Sequence, residues 1–330
     1  MQARELAEYG LTAGEQGPGW VRERSAGSPP AADVTQREWV FPHRIMLAPV
    51  ERLGKSVNAL AQQLVDDFAG GLRGERIDAP WPCVFAAADG MPGLNRRAAA
   101  VEEAFHHLLR KRLSRVAKLA GPELPRGSGT ARGWFVFFVD FGRVLASRTA
   151  WLGGQRRMAD DPLAPSRSYL KVEEAYGVLG REPQAGEVVV DLGAAPGGWS
   201  YSAAKRGARV VAVDNGPLKG GALNHPQIEH RREDAFRFHP ARGELFDWLF
   251  CDLVEEPHHV LHDIVEPWLV GGWCRRWVIN LKFGRVDPIA LLRELRAPGF
   301  PLARPGTRWL SRHLYHDREE ITLVGETKYS

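Results

Sequence analysis

The chain has 330 residues, 44% of them hydrophobic and 25% charged, a composition typical of globular proteins that are long enough for two domains. A formal net charge of +4 permits a nucleic-acid partner without requiring one. The three cysteines, Cys83, Cys251 and Cys274, are too widely spaced for a disulfide framework or a zinc site. No stretch has the character of a signal peptide or a membrane helix. We therefore expect a cytoplasmic protein without membrane association or bound metal.

The first 36 residues are rich in Gly, Pro, Glu, Arg and Ser and have little apolar periodicity. The run GSPPAAD within them is typical of a linker or a loop. We therefore expect residues 1–36 to form a flexible N-terminal segment.

Residues 37–160 have the pattern of a small α+β domain. Apolar residues at helical spacing predict a helix that includes 57–65, with Ser56 as its cap. A longer amphipathic helix is predicted over about 97–119, because one apolar stripe runs along its whole length.

A β-hairpin is predicted after this helix, because the aromatic run 134–139 and the segment 143–146 flank a turn. The aromatic residues follow one another without polar residues between them, which favours the core over a base-stacking surface. The end of the preceding helix is strongly basic, which predicts either a solvated helix end or a surface for RNA phosphates. The charges belong to Arg110, Lys111, Arg112, Arg115 and Lys118.

From residue 161 strands and helices alternate, which predicts a Rossmann-like α/β sheet. Helices are predicted near 168–178, 198–206, 257–269 and 287–297. The last two strands are consecutive, so they form a hairpin, and one edge strand of the otherwise parallel sheet must run antiparallel. This combination favours the methyltransferase variant of the Rossmann class over the dinucleotide-binding one. The predicted strands are 187–192, 208–214, 227–230, 246–252, 276–282, 307–313 and 319–325.

The segment EVVVDLGAAPGGWS at 187–200 predicts a buried strand, a turn of small residues and the start of a helix. A turn of this kind, at the carboxyl end of a parallel strand, lets a ligand contact the backbone. The spacing of Gly193, Gly197 and Gly198 does not match the G-x-G-x-x-G pattern of dinucleotide sites. Asp191 at the strand end would also oppose a pyrophosphate, whereas it suits a cationic ligand.

Two further acids follow the next two strands. Asp214 ends the second strand in VVAVDNGP, where it can accept from both hydroxyls of a ribose. Asp234 follows the third strand in REDAF, where it can accept from an adenine amine. Together with Asp191 they fit S-adenosylmethionine, which carries a sulfonium and an ammonium as well as an adenosine. The sequence therefore predicts an S-adenosylmethionine pocket at this edge of the sheet.

The fourth strand, in FDWLFCDLVEEP, has neither the Pro-Pro-aromatic pattern of base-amine methylation nor the Pro-Cys of pyrimidine carbon methylation. Cys251 points away from Asp252 if the strand alternates, so we expect Cys251 to be buried. Asp252 lies at the end of this strand, and Lys282 takes the corresponding place on the next one. Lys171 lies on a helix before the first strand, and Glu320 opens the last strand.

This set of residues resembles the Lys-Asp-Lys-Glu tetrad of the FtsJ-like ribose 2′-O-methyltransferases, which would here be Lys171, Asp252, Lys282 and Glu320. Within that family, residues of about 160–325 are similar to the large-subunit ribosomal RNA methyltransferase M group, which methylates a cytidine ribose in 23S rRNA. The motifs that carry this similarity are SRSYLKVEEA, VDNGP, EDAF, CDLVEEP, WLVGGWCRR, NLK and LYHDREE.

The resemblance implies a domain organisation. Residues 37–160 would be a THUMP-like RNA-binding domain, a less specific similarity, and 161–330 an FtsJ-like methyltransferase domain. The residues before the THUMP-like part are too few for the ferredoxin-like domain of this group. Glu319 is the neighbouring alternative to Glu320, which the register of the family favours. The resemblance also implies cofactor contacts at Ser168, Gly193, Ala195, Pro196, Gly197, Gly198, Trp199 and Asp252.

The chemistry of the four residues is coherent without the family. A ribose hydroxyl needs a base within hydrogen-bond reach and a methyl donor in line. A lysine serves as that base only if its pKa is lowered, which burial and a second ammonium favour and carboxylates oppose. We assign Lys282 as the general base, Asp252 and Glu320 as the groups that orient it, and Lys171 as a charge that positions the substrate. The leaving group is a neutral thioether, so no metal is needed.

The leading hypothesis is S-adenosylmethionine-dependent 2′-O-methylation of a ribose, a cytidine in 23S rRNA, by a monomer. One alternative is an RNA-binding ribosome-assembly factor that keeps the pocket but does little chemistry. Another is a methyltransferase that acts on tRNA or another RNA. Three pairs of arginines are candidates for the RNA path, although such pairs are common on loops: Arg96 and Arg97, Arg231 and Arg232, and Arg275 and Arg276.

Overall fold

The computed structural model describes residues 1–24, 31–72 and 74–327, which divide into two compact units. The first unit comprises Met1–Glu38 and Arg44–Leu152, and the second comprises Trp39–His43 and Gly153–Ser330. In the ranges that the structure describes, none of the helices has both the length and the apolar character that crossing a membrane takes.

The first unit is an α+β structure, as predicted. Its main sheet has the strand order β3-β8-β7-β5-β6, with β4 also paired to β8, and β1 and β2 form a separate hairpin. The elements in chain order are α1 (Gln2–Glu8), β1 (Ala13–Gly17), β2 (Trp20–Glu23), α2 (Ala31–Gln36), β3 (Arg44–Leu47), β4 (Val50–Leu53), α3 (Val57–Leu72), β5 (Trp81–Ala87), α4 (Leu94–Arg112), α5 (Ser114–Ala117), β6 (Ala120–Gly121), β7 (Gly129–Phe138) and β8 (Arg143–Leu152).

Apolar faces of α3 and α4 pack on this sheet. The ring of Phe68 on α3 lies 5.6 Å from Trp134 on β7 and 6.3 Å from Phe105 on α4. All three side chains are fully buried, and each stabilises the fold by about 1.5–3 kcal/mol of apolar transfer. The predicted core position of the aromatic run is confirmed, and Ser56 accepts from the Ala59 amide at 3.4 Å as the predicted helix cap.

The expectation that residues 1–36 form a flexible segment is wrong for most of the described part of that range, which contains α1, β1, β2 and α2. Long-range contacts stabilise this segment, and a local composition pattern does not reveal them. The ring of Trp20 packs edge-on against Phe137 at 6.2 Å, and Arg143 Nη1 donates to Glu15 at 3.0 Å. Residues 27–30 of the GSPPAAD run lie outside the described residues.

The second unit is the predicted Rossmann-like methyltransferase sheet. The elements in chain order are α6 (Tyr169–Leu179), β9 (Val188–Leu192), α7 (Gly198–Ala204), β10 (Arg209–Val213), a 3-10 turn (Gly220–Ala222), β11 (Ile228–Arg231), β12 (Phe246–Cys251), α8 (Pro257–Val260), a π-helical turn (Leu261–Val265), α9 (Glu266–Val270), β13 (Cys274–Lys282), α10 (Pro288–Leu295), a second 3-10 turn (Pro301–Ala303), β14 (Thr307–Arg312) and β15 (Glu320–Thr327).

The seven strands of this sheet have the order β11-β10-β9-β12-β13-β15-β14. The first five are mutually parallel, and β15 pairs antiparallel with both β13 and β14. The antiparallel last strand is therefore confirmed, but its expected edge position is wrong. β15 lies inside the sheet and β14 forms the edge, because β15 is the more apolar and buried strand, and β14 keeps polar and half-exposed residues.

The observed division of the chain differs from the predicted domain boundaries. The first unit ends at Leu152, before the predicted boundary at 160, and Trp39–His43 belongs to the second unit. Val40 and Phe41 are buried in the core of the second unit, and the Val40 carbonyl accepts from the His313 amide at 2.9 Å. The apolar side chains of this short segment explain why it packs in the second unit, although the elements next to it in sequence belong to the first unit.

Candidate active site

The glycine turn follows β9 and lies between the ends of β10 and β12. Gly193 has a φ of +80°, and a Cβ there would lie 2.6 Å from Leu253 Cδ2. Gly197 has a φ of +104°, and a Cβ there would lie 2.5 Å from Ala222 Cβ. Both positions therefore require glycine for backbone conformation and for space. The turn is held close to its neighbours, with its backbone free of side-chain bulk.

Asp214 ties the end of β10 to this turn. Its carboxylate accepts from the Ala195 amide at 2.9 Å and from the Gly216 amide at 2.7 Å. A carboxylate has about four acceptor sites, so these two bonds leave capacity for two ribose hydroxyls. The half-buried Asp214 is thus fixed in orientation before any ligand binds.

Asp191 lies deeper than its neighbour. Its side chain is only 1% exposed and accepts from Ser200 Oγ at 2.6 Å. Burial raises the pKa of Asp191 to about 7, although the Ser200 hydroxyl opposes this shift. The predicted role as a direct negative partner for a cationic ligand is therefore weakened, because the carboxyl is covered and readily protonated.

The remaining predicted cofactor residues lie around the same turn. Trp199 is buried, and its indole N–H donates to the Ser168 carbonyl at 2.9 Å, which joins the start of α7 to the start of α6. The Pro196 carbonyl accepts from the Lys219 amide at 2.9 Å. Asp234 is exposed just after β11 and accepts from the Phe236 amide at 3.0 Å.

The predicted tetrad forms one compact cluster. Lys282 Nζ lies 2.6 Å from Asp252 Oδ1 and 3.8 Å from Glu320 Oε2. Lys171 Nζ lies 2.8 Å from Glu320 Oε1 and 3.6 Å from Asp252 Oδ1. The two ammonium groups and the two carboxylates thus alternate. Glu319 is exposed, whereas Glu320 is buried within this cluster.

Four different elements deliver these side chains. Lys171 lies on α6, Asp252 directly follows β12, Lys282 ends β13 and Glu320 begins β15. Because β15 runs antiparallel to β13, its first residue lies at the carboxyl edge of the parallel strands, the edge that also bears the glycine turn. The cluster and the turn therefore share one edge of the sheet, where α/β proteins bind their ligands.

The two lysines of the cluster have different surroundings. Burial lowers the pKa of Lys171, but Asp252 and Glu320 outweigh this effect and raise the pKa above its usual value. Lys171 is therefore an ammonium at neutral pH. Lys282 Nζ also contacts the Leu253 carbonyl at 3.0 Å and Asn280 Oδ1 at 3.3 Å. With Asp252, these make three acceptors, the number that an ammonium satisfies.

Sequence analysis missed three buried polar residues behind Lys282. Asn280, Asp317 and Thr322 are 0%, 8% and 1% exposed and hydrogen-bond to one another. Burial raises the pKa of Asp317 to about 7. The motif NLK contains Asn280, but only the fold brings it to a residue of the HDREE segment.

The basic candidates are dispersed. Arg275 and Arg276 begin β13, at the opposite edge from Lys282, and pair with Asp247 and Glu187 at 3.3 Å. Both therefore lie away from the cluster. Arg231 pairs with a neighbouring glutamate and Arg97 donates to two carbonyls of the first unit, whereas Arg96 and Arg232 are exposed.

The basic end of α4 and the short α5 keeps most of its charges in solvent. Arg112 forms an ion pair with Asp66. The other four cations are exposed, and they are Arg110, Lys111, Arg115 and Lys118.

The three cysteines are buried free thiols. Cys251 is fully buried, as expected, and burial raises its pKa to about 12, which makes it a poor nucleophile. Among the residues that the structure describes, no group of His, Cys, Asp and Glu has the arrangement of a metal site.

Known proteins resemble this chain in sequence. A family model described as FtsJ-like methyltransferase matches residues 164–270. Ribosomal RNA large subunit methyltransferase M of Alkalilimnicola ehrlichii is 36% identical over 352 residues, which cover 98% of this chain and 90% of that protein. The protein of the same name from Halorhodospira halophila is 42% identical over 182 residues, and this match covers 54% of this chain and 52% of that protein.

A solved structure of a possible methylase from Clostridium difficile 630 covers 99% of this chain and is itself covered to 94%. The two chains are 14% identical and superpose with a TM-score of 0.37.

Proposed function

The chain belongs to the ribosomal RNA large subunit methyltransferase M family, and on that premise we propose that it methylates a ribose 2′-hydroxyl in 23S ribosomal RNA. We propose a cytidine as the methylated nucleotide and S-adenosylmethionine as the methyl donor. The name that the relatives carry supports the ribosomal substrate. The chemistry of the site supports the hydroxyl as the acceptor.

One observation carries the proposal. The lysine at the end of β13 has Asp252 at 2.6 Å and Glu320 at 3.8 Å, and Lys171 completes the cluster at the edge that bears the glycine turn. Base amines need no strong base for methylation, and carbon methylation needs a nucleophile that the buried Cys251 does not supply. A hydroxyl, in contrast, needs a group that removes its proton, and the position of Lys282 within the cluster supports this residue in that role.

The residues at the turn fit S-adenosylmethionine by their chemistry. Asp214 is fixed by two amides with acceptor sites left for ribose hydroxyls, and Asp234 is exposed at the neighbouring strand end. The small side chains of the turn allow a ligand to approach the backbone. When bound, S-adenosylmethionine supplies an electrophilic methyl group on a sulfonium.

The residues of this chain then remove one proton, that of the ribose 2′-hydroxyl. Uncharged Lys282 accepts the proton of the ribose 2′-hydroxyl as the oxygen bonds to the methyl carbon. The resulting ammonium is held by Asp252 and by the Leu253 carbonyl at 3.0 Å. Lys171, which stays charged, attracts the RNA phosphates or the developing alkoxide. Glu320 orients both lysines.

The decisive experiment measures methyl transfer to 23S rRNA from cells that lack this protein, with mapping of 2′-O-methyl positions. We expect one new position with the native protein and a loss of at least about 100-fold with Lys282→Ala. Lys205→Ala is a matched control, because its side chain is 29% exposed, against 24% for Lys282, and it too pairs with carboxylates. Full activity of Lys282→Ala would contradict the base assignment.

The same assay separates the alternatives. Methylation of tRNA or another RNA, with none on 23S rRNA, would replace the proposed substrate. Binding of rRNA or ribosomal particles without methylation of any RNA would instead favour an assembly factor. We also propose that the THUMP-like first unit contributes RNA binding.

A further inference from the structure

Asn280 lies two residues before Lys282 on β13, so both side chains point to the same face of the sheet. It is fully buried. Its amide nitrogen donates to Asp317 Oδ1 at 3.2 Å and to Thr322 Oγ1 at 3.1 Å, and its amide oxygen lies 3.3 Å from Lys282 Nζ. Asn280 therefore connects the catalytic cluster to a buried acid that the mechanism does not otherwise use.

The surrounding bonds fix which way the amide points. Thr322 Oγ1 gives its hydrogen to Asp317, at 3.2 and 3.3 Å from the two carboxylate oxygens, so toward Asn280 it can only accept. Burial raises the pKa of Asp317 to about 7, so above that pH the group is ionised and can only accept as well, and its second oxygen takes the Leu314 amide at 2.8 Å. Both amide hydrogens of Asn280 are thus committed to Asp317 and Thr322. Its oxygen is left facing Lys282.

We propose that Asn280, held by Asp317 and Thr322, is a positioning residue for Lys282 and accepts one hydrogen of its ammonium form. The inference rests on the proposed function. In the balanced step, the ribose O–H bond breaks and an N–H bond forms on Lys282. At the same time, the ribose oxygen bonds to the methyl carbon, and the sulfonium becomes a neutral thioether.

Counting hydrogens shows why this contact acts on the reaction. Uncharged Lys282 has two hydrogens and a lone pair, and the lone pair is taken by the ribose hydroxyl. Three oxygens surround its nitrogen, namely those of Asp252, Leu253 and Asn280, so one of them goes without a hydrogen. The Asn280 contact is the longest and the one given up first. The Asn280 oxygen still faces the nitrogen as positive charge develops on Lys282, and interactions that strengthen toward the transition state accelerate the reaction.

Every other charged group that faces Lys282 remains in place when Asn280 is changed. These groups are Asp252 after β12, Glu320 on β15, Lys171 on α6 and Asp317 behind the amide. Loss of a neutral acceptor should therefore disfavour the ammonium form, and no charged side chain is removed. A variant that merely lost stability would not be expected to disfavour the ammonium form of Lys282.

The test compares kcat for 23S rRNA methylation across pH in the native protein and in Asn280→Ala. We expect kcat to fall by about 10-fold or more, because a hydrogen bond to a charged group is removed. We also expect the rise of kcat with pH to move to lower pH, because Lys282 loses its proton more readily. The KM for S-adenosylmethionine should stay within about twofold, because the glycine turn is untouched.

Thr322→Val provides a second variant with nearly the native shape. It removes the acceptor that locks the amide, so it should shift the pH profile in the same direction by less, and Thr322→Ser should restore the native profile. Ser202→Ala is the control for a buried hydroxyl elsewhere in the unit, where Ser202 Oγ donates to Glu173 at 2.6 Å. It should leave the pH profile of kcat unchanged.

The outcomes are separable. If the native protein methylates no RNA, the proposed function fails and the inference falls with it. If the native protein is active and the Asn280→Ala and Thr322→Val profiles coincide with its own, the positioning role is overturned while the proposed function stands. A loss of kcat with an unmoved pH profile, as for a merely structural residue, would overturn it too.

Discussion

Lys282 and Glu320 are paired across the antiparallel strands β13 and β15, with Nζ and Oε2 3.8 Å apart. In a wholly parallel sheet the start of a strand and the end of its neighbour lie at opposite edges. The reversed direction of β15 brings the two together. Glu320 at the start of β15 therefore reaches Lys282 at the end of β13.

This pairing predicts the effect of Glu320→Gln. Lys171, 2.8 Å from Glu320, would lose its nearest carboxylate, and both lysines would be less well oriented. We expect kcat for RNA methylation to fall by about 10-fold or more. Glu319→Gln is the matched control, because Glu319 is exposed and should tolerate the change. Equal losses in the two variants would refute the assignment of Glu320 over its neighbour.

Asp214→Ala tests the cofactor pocket. The Ala195 and Gly216 amides would lose their acceptor, and the ribose hydroxyls of the cofactor would lose a carboxylate. We expect the Kd for S-adenosylmethionine, measured by titration calorimetry, to rise by about 10-fold or more. Asp263→Ala, a change at an exposed acid on the π-helical turn, should leave the Kd unchanged. An unaltered Kd for Asp214→Ala would place the ribose elsewhere.

Glu174 predicts a pH dependence of stability. It is fully buried, and burial raises its pKa from the usual 4.5 to about 8. Between these values the folded state binds more protons than the unfolded state, so the free energy of unfolding falls as the pH rises. The cost is absent below pH 4.5 and complete above pH 8.

Glu174→Gln should therefore reduce the fall of the unfolding free energy between about pH 5 and pH 8, the range over which Glu174 titrates. The unfolding free energy is measured by urea denaturation followed by tryptophan fluorescence. The glutamine also loses one acceptor for the Arg156 and Tyr315 amides, so the variant is less stable at the acidic end. A slope equal to that of the native protein would show that Glu174 titrates normally.

The basic end of α4 and α5 gives a prediction about RNA. If its exposed cations bind phosphates, Arg110→Gln with Lys111→Gln should weaken RNA binding and flatten its salt dependence, by about 0.7–0.9 in slope for each phosphate that is no longer neutralised. Arg209→Gln with Arg242→Gln removes the same charge from exposed positions of the second unit. Equal effects of the two double variants would indicate a general influence of net charge instead of a surface.

Much of the second unit could be predicted from the sequence, because its strands are short apolar runs and its turns carry Gly, Pro and Asp. The order of the last two strands could not, since a hairpin pattern does not say which strand lies inside. That choice depends on the burial of β15, which pairs along eight residues with its neighbours. The four residues of the cluster were predicted because they stand in recognisable motifs, three of them at strand ends and Lys171 on the helix before the first strand.

The polar network behind Lys282 could not be predicted in the same way. Asn280 and Asp317 are far apart in sequence, and singly each is typical of a strand end or a turn. Only the pairing of Asn280 with Thr322 across β13 and β15 makes them neighbours. The helix and hairpin at the N-terminus were missed for a related reason, because their stability comes from Trp20 and Glu15 meeting residues of β7 and β8.

The position of β15 also sets an order of events during translation. The strands that carry the glycine turn and its acids, β9 to β11, are complete once the ribosome has passed Arg231. Glu320 is synthesised after every other strand of the described sheet and must enter between β13 and β14. A nascent chain can thus form β9 to β11, with the glycine turn, early. Lys171 and Lys282 have only Asp252 as a shared carboxylate until Glu320 has been synthesised.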